Sequence, residues 1–309
     1  MLERILVPLD GSEIAEAILA QVIRLLRIQD ASVTLFRAVP IPAQSGLEGA
    51  PFGFADLKSE AEKYISALES DLLKEGVKVQ GIVRVCGEVS GILEAARQHS
   101  STLIAMATHG RTGLSRFVFG SVTEGVLRAC DIPVLVVRSF QEVAASAIRT
   151  PAREVPIRRI LMPVDDTKDS LAVLPHVRAL ARAVGASVMV LGVVEPVGRK
   201  SQGGSDPLVR IAVNELTRND IAVDPLVRLG DPASEILDAC RTHDADLVAM
   251  TTHGRRGLSR LVMGSVTEKV LRASTVPVLV VHGKRAGRLE DEKRREERSD
   301  SPAQRPARH

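Results

Sequence analysis

"THGRTGLSRFVFGSVTEGVLRACDIPVLVV" occupies Thr108–Val137, and "THGRRGLSRLVMGSVTEKVLRASTVPVLVV" occupies Thr252–Val281. Aligned without a gap, 23 of the 30 positions agree, at a spacing of 144 residues. Identity of that density inside one chain means a duplicated structural unit. The repeat reaches further: "RILVPLDGS" (Arg4–Ser12) returns as "RILMPVDDT" (Arg159–Thr167), and "VRVCGEVSGILEAARQHSSTLIAMATHG" returns as "VRLGDPASEILDACRTHDADLVAMTTHG". The offset is 155 residues at the start of the copies and 144 near their ends, so the first copy is longer in its middle. The extra length surrounds the Pro/Gly-rich "PIPAQSGLEGAPFGFADL" (Pro40–Leu57), which reads as a loop; "EPVGRKSQGGSDP" (Glu195–Pro207) stands there in the second copy.

Each copy alternates short β-branched runs with helical periodicity. In the first copy strands are expected at Ile5–Leu9, Val33–Val39, Val77–Val85, Leu103–Ala107 and Val134–Val137. Helices are expected at Ile14–Ile28, Leu57–Glu75, Val89–His99 and Ser121–Ala129, where apolar residues recur at i, i+3, i+4. This βαβαβαβαβ order predicts an α/β fold: two tandem, open, doubly wound units, each a parallel sheet with helices on both faces. The continuous apolar run "IPVLVV" fits a strand buried on both sides.

The boundaries follow from composition. A first unit spans residues 1–138, a polar, Pro-containing linker 139–156, a second unit 157–283, and a charged tail 284–309. The tail mixes charges with almost no large apolar residue, which predicts disorder. It also carries the net charge of +3: nine Lys/Arg and six Asp/Glu lie beyond Gly283, leaving 32 of each sign in the body. A charge-balanced body with 2% aromatics argues against a nucleic-acid groove, which needs basic patches and stacking platforms. Cys86, Cys130 and Cys240 show no metal-ligand or CxxC spacing and read as small buried hydrophobes of a reducing compartment. "MLERILVPLD" enters a strand-like run at once, without the pattern of a signal peptide, and no apolar stretch approaches a membrane span. A cytoplasmic protein, away from membranes, is the expectation.

In an open parallel sheet, ligands sit beyond the carboxyl ends of the strands where the strand order reverses. Three features converge on those ends. The first strand closes on Asp10, Gly11 and Ser12, matched by Asp165, Asp166 and Thr167. The fourth closes on "MATHG" (Met106–Gly110), matched by "MTTHG" (Met250–Gly254). Nine residues beyond each final glycine, "GSVTE" opens a helix, at Gly120–Glu124 and Gly264–Glu268. The first amides of a helix lack intrahelical partners and carry the positive end of its dipole, so this end suits a phosphate. The glycine permits close approach, and Ser121 and Thr123 add hydroxyls. Taken alone, either segment is better explained by an ordinary helix start; the accompanying glycine loop and strand-end Asp move the balance toward a ligand. His109 and His253 have no Ser or Cys nucleophile in a recognisable pattern with them and read as loop residues.

On these motifs both copies resemble the universal stress protein domain, over nearly the whole chain apart from linker and tail. The resemblance implies five-stranded parallel sheets of order 3-2-1-4-5. ATP-binding members share G-x-x-G, nine residues, then G-[S/T]; here the stretches are Ala107–Gly110 with Gly120–Ser121, and Thr251–Gly254 with Gly264–Ser265. The second glycine and the Gly-Ser pair match, whereas Ala107 and Thr251 replace the first glycine. The resemblance implies Asp10 and Asp165 at the ribose and adenine edge, and backbone of Ala38 and Val193 toward adenine. Met106 and Met250 close the strand ends there. Gly110, Gly120, Ser121, Val122 and Thr123 would hold phosphates, as would Gly254, Gly264, Ser265, Val266 and Thr267. A Mg2+ or Mn2+ ion would be held by the phosphates, with no metal ligands from the protein.

The family commonly pairs through its last strand, which here means Pro133–Val137 against Pro277–Val281. An exposed apolar edge strand is an aggregation hazard unless paired. An intramolecular pseudo-dimer is therefore expected, and a homodimer of whole chains is compatible with it. The leading functional expectation is an ATP-binding stress-response regulator that acts through nucleotide-dependent conformation or assembly, read by a regulatory protein partner. It is not an enzyme beyond slow ATP hydrolysis. The alternative is a universal stress scaffold without nucleotide, motivated by Ala107 and Thr251. An ATP-dependent activating enzyme is disfavoured: SGGxDS, HIGH-type and G-x-x-x-x-G-K-[ST] motifs are all absent.

Overall fold

The computed structural model describes residues 3–26, 31–40, 52–109, 120–139, 157–195, 206–252 and 263–283. Gly110, Gly254, the expected linker beyond Ser139 and the tail lie outside them. The first copy contains β1 (Arg4–Pro8), α1 (Glu13–Leu26), β2 (Ser32–Val39), α2 (Phe52–Lys74), β3 (Lys78–Val85), α3 (Glu88–Gln98), β4 (Leu103–His109), α4 (Ser121–Ala129) and β5 (Val134–Ser139). The second contains β6 (Arg159–Val164), α5 (Leu174–Val184), β7 (Ser187–Val194), α6 (Asp206–Thr217), β8 (Val223–Leu229), α7 (Pro232–Thr242), β9 (Leu247–Thr251), α8 (Ser265–Ala273) and β10 (Val278–Val281).

Two differences between the copies have local causes. A short 3-10 turn, Lys168–Val173, precedes α5 in place of the start of a long helix. Pro175, in the first turn of α5, has no N–H to donate back into that turn, so the α-helix restarts there. The second difference corrects the sequence expectation: α2 begins at Phe52, inside the stretch expected to be loop through Leu57. Pro51 precedes that helix in the sequence, and proline is compatible with a helix start.

Strand order is β3-β2-β1-β4-β5-β10-β9-β6-β7-β8, one sheet of ten strands. Each half thus has the order 3-2-1-4-5, and every ladder within a half is parallel. The halves meet where β5 and β10 run antiparallel, with Val136 opposite Val278, Leu135 opposite Leu279 and Val134 opposite Val280. The period of two sends Leu135 and Leu279 to the α1/α5 face, and their valine neighbours to the α4/α8 face. Both apolar cores therefore run without a break through the seam. Each fully buried Leu or Val contributes about 1.5–3 kcal/mol of transfer free energy. A small cavity of about 20 Å³ remains on the seam, lined by Leu25, Leu103 and Leu135 from one half and Leu180, Leu247 and Leu279 from the other.

The packing of the third helix shows how the copies keep one shape with different residues. In the first copy Gly91 of α3 lies against Cys86; a Cβ there would fall 2.3 Å from its Sγ. In the second copy the bulk has changed sides: Gly230 replaces the cysteine, and Glu235 of α7 replaces the glycine. A Cβ on Gly230 would fall 2.5 Å from Glu235 Oε1.

Candidate functional site

Because β5 and β10 are antiparallel, the carboxyl ends of the two strand sets open at opposite edges of the sheet. Each edge carries its own switch point, between β1 and β4 in one half and between β6 and β9 in the other.

The strand-end aspartates accept the same pair of hydrogen bonds in both copies. Asp10 Oδ1 accepts from Ser12 N (2.9 Å) and Ser12 Oγ (2.6 Å), and Ser12 Oγ accepts from Ala15 N at 3.1 Å. That last bond caps α1. In the second copy Asp165 Oδ1 accepts from Thr167 N (2.8 Å) and Thr167 Oγ1 (2.6 Å). Gly11 between Asp10 and Ser12 has φ +80°, a conformation that favours glycine. Both carboxylates are thus fixed in place at the mouth of a switch point.

The amino ends of α4 and α8 follow β4 and β9, the strands beside β1 and β6. Gly120 (φ −57°, ψ 134°) and Gly264 (φ −61°, ψ 139°) are the N-caps, and no side chain caps either helix. Ser121 and Ser265 are exposed, Val122 and Val266 half-buried, and Thr123 and Thr267 buried. Glu124 pairs with Arg128 one turn on, and Glu268 with Arg272. Each pair offsets the one carboxylate in the first turn, so the end of the helix dipole stays favourable to an anion.

Ala38 is half-buried and Val193 buried, each near the carboxyl end of the strand beside β1 or β6. Met106 and Met250 are 5% exposed, with side chains in the apolar core, so only their backbone is left to meet a ligand. The described members of the expected set therefore gather at two switch points, one per copy. Among the described residues, no group of three His, Cys, Asp or Glu side chains is placed to hold a metal ion. Burial pushes the Cys240 thiol up to about 11, Asp246 adding to the effect and Arg241 opposing it, so this thiol stays protonated.

Sequence reasoning missed a charged cluster in the first copy. Arg37 of β2 projects onto the α1/α2 face, 5.6 Å from the centroid of the Tyr64 ring. Its guanidinium also lies under the β1 turn: a Cβ on Gly11 would meet Arg37 Nη1 at 2.8 Å. Its Nε and Nη1 are buried and meet no hydrogen-bond acceptor. Burial drives the Tyr64 phenol far above its usual range, with Glu16 and Asp10 adding to the shift and Arg37 opposing it. The phenol therefore stays neutral. The second copy has Gly192 and Leu208 at the corresponding positions. The available signal was an arginine inside the apolar run "SVTLFRAV" together with the chain's single tyrosine.

The second copy differs again at its helix start. Gly264 N donates to the Thr252 carbonyl at 2.7 Å, and Thr252 N donates to Val281 O at 2.9 Å. Thr267 Oγ1 donates to the Thr251 carbonyl at 2.8 Å. In the first copy a Cβ on Gly120 would meet nothing nearer than Thr123 Oγ1 at 3.9 Å.

No helix among the described residues is long and apolar enough to cross a membrane. The family model for the universal stress protein family matches residues 1–138 and again 156–282. A universal stress protein of Mycolicibacterium smegmatis is 25% identical over 296 residues, 90% of this chain and 96% of its own length. One from Methanocaldococcus jannaschii is 30% identical over 139 residues, covering 44% of this chain and 82% of the relative. Among solved structures, a universal stress protein from Archaeoglobus fulgidus superposes with a TM-score of 0.72 at 20% identity, over 91% of this chain and 99% of that one. That likeness shows the fold. The two matched segments cover most of the sequence, and the chain belongs to the universal stress protein family as a tandem of two such domains.

Proposed function

We propose that the protein binds ATP and acts as a stress-response regulator through a nucleotide-dependent conformation or assembly. The observation that carries this reading is the uncapped start of α4. No described residue crowds Gly120, and Ser121 and Thr123 follow it, across a switch point from the fixed carboxylate of Asp10. Unpaired first-turn amides and a helix dipole suit a polyphosphate, and the Gly-Ser spacing is that of the family's ATP-binding members. The phosphates would carry Mg2+ or Mn2+ themselves, since clustered phosphate charge needs neutralising. Among the described residues the arrangement has no activated nucleophile, in keeping with a binding protein that turns ATP over slowly if at all. A cytoplasmic location and a protein partner that reads the bound state belong to the same proposal.

The scaffold reading, without nucleotide, draws on one observation: in the second copy the Gly264 amide is already bonded to Thr252. The test is to denature freshly purified full-length chain and quantify released nucleotide by chromatography, then titrate the emptied protein with Mg-ATP. Co-purified ATP, or saturable binding, supports the regulator. Neither would leave the scaffold.

A further inference from the structure

The two halves share a motif but not its surroundings, and the difference falls on the atoms that would meet a ligand. Resting on the nucleotide reading above, we propose that the crevices are inequivalent: the first copy alone takes the polyphosphate, and the second is closed by its own backbone.

Closure begins with strand length. In the first copy the β4–β5 ladder continues to Thr108 opposite Arg138 and His109 opposite Ser139. In the second the β9–β10 ladder ends at Thr251 opposite Val281. Beyond that point the chain turns so that the Thr252 carbonyl meets Gly264 N at 2.7 Å. The same oxygen stands 2.8 Å from where a Gly264 Cβ would be, so this side of the glycine is occupied by backbone. The amide that a phosphate would need already has a partner, and the Thr267 hydroxyl is engaged with Thr251. A ligand would have to break both bonds and move a carbonyl aside. In the first copy the atom nearest to where a Gly120 Cβ would be, among the described residues, is Thr123 Oγ1, at 3.9 Å.

Charge points the same way, independently of the helix. Arg37 brings a cation against the Asp10–Gly11–Ser12 turn of the first crevice, with two buried nitrogens that meet no acceptor. Buried N–H groups of this kind favour a nearby acceptor, because pairing relieves part of their desolvation. Gly192 offers the second crevice nothing equivalent.

The test counts ATP per chain by equilibrium dialysis of nucleotide-free, full-length protein with labelled Mg-ATP. It is repeated on Ser121→Glu, which sets a carboxylate at an exposed helix start without touching the core. Gly120→Val serves as a second variant, and circular dichroism verifies that each is folded. The expected result is one ATP per chain for the parent and at least a hundredfold weaker binding for either variant. Two ATP per chain, or one that survives both substitutions, would overturn the inequivalence and leave the nucleotide reading standing. No ATP bound by the parent would overturn both.

Discussion

Gly120 and Gly264 hold the same place in the repeat and nearly the same backbone angles, so alanine at each isolates what surrounds them. Both conformations lie in the extended region open to any residue, and replacing Gly by Ala there removes freedom from the unfolded chain. That effect alone stabilises by about 0.4–1 kcal/mol. At Gly120 the new methyl meets no atom of the described residues nearer than 3.9 Å, so nothing there opposes it. At Gly264 the methyl falls 2.8 Å from the Thr252 carbonyl oxygen, a backbone atom that cannot swing away like a side chain. Overpacking of that kind costs about 1–3 kcal/mol. If the carbonyl retreats, the 2.7 Å hydrogen bond from Gly264 N weakens as well, at roughly 1 kcal/mol. The net expectation is a gain of about 0.5 kcal/mol for Gly120→Ala and a loss of about 1–3 kcal/mol for Gly264→Ala. For units of this size, 1 kcal/mol moves Tm by about 2–4 °C, so Gly264→Ala should melt about 3–14 °C below Gly120→Ala. Differential scanning calorimetry of the two chains without nucleotide provides the comparison. Equal Tm values would refute the closed second crevice, since closure is the only difference invoked.

Asp231 caps α7 by accepting from Ser234 N and Oγ at 3.1 and 2.9 Å, and those bonds hold its carboxyl below the ordinary 3.8. A depressed folded value gives stability that is present above the unfolded value and lost as pH falls through the folded one. Asp231→Ala should therefore cost about 1 kcal/mol at pH 7, with the deficit closing below pH ~3.8 in urea titrations at stepped pH. Arg37→Met should weaken ATP binding about tenfold at low salt, with Arg37→Lys restoring much of it; an unchanged Kd by calorimetric titration would remove Arg37 from the site. Leu135→Ala and Leu279→Ala should each cost about 3 kcal/mol, and the double variant should depart from the sum, because the two residues face each other across the seam. Residues 1–139 expressed alone should dimerise through the uncovered β5 edge; sedimentation as a well-behaved monomer would contradict that reading of the seam.

The repeat made the architecture legible. An apolar run such as Val33–Val39 can only be a strand of the kind seen in β2, and the amphipathic Ser121–Ala129 matches α4 residue for residue. The start of α2 was hidden because Pro51 and Gly53 read as loop residues, although proline just outside a helix is compatible with its first turn. The candidate site was legible as a location, since strand ends and helix starts follow from element order. Its inequivalence was not. "GSVTE" is identical in both copies, and what separates them is whether a carbonyl twelve residues upstream comes back to meet the glycine. Arg37 escaped for the same reason: its neighbours Tyr64 and Gly11 come from other elements, and only the folded sheet brings them to it.

The antiparallel seam has a consequence for abundance. Two separate domains joined edge to edge part on dilution, so their pairing rises and falls with the amount of protein in the cell. Here both edges belong to one polypeptide, and each is present at the other at an effective concentration on the order of millimolar. Pairing is then independent of expression level, even when few copies of the chain exist. Covalent joining also fixes composition: every particle contains one half of each kind, so mixed and homotypic pairs never compete. One half is thereby free to drift in sequence while the other keeps its surface, because the drifting half is still required as the partner edge.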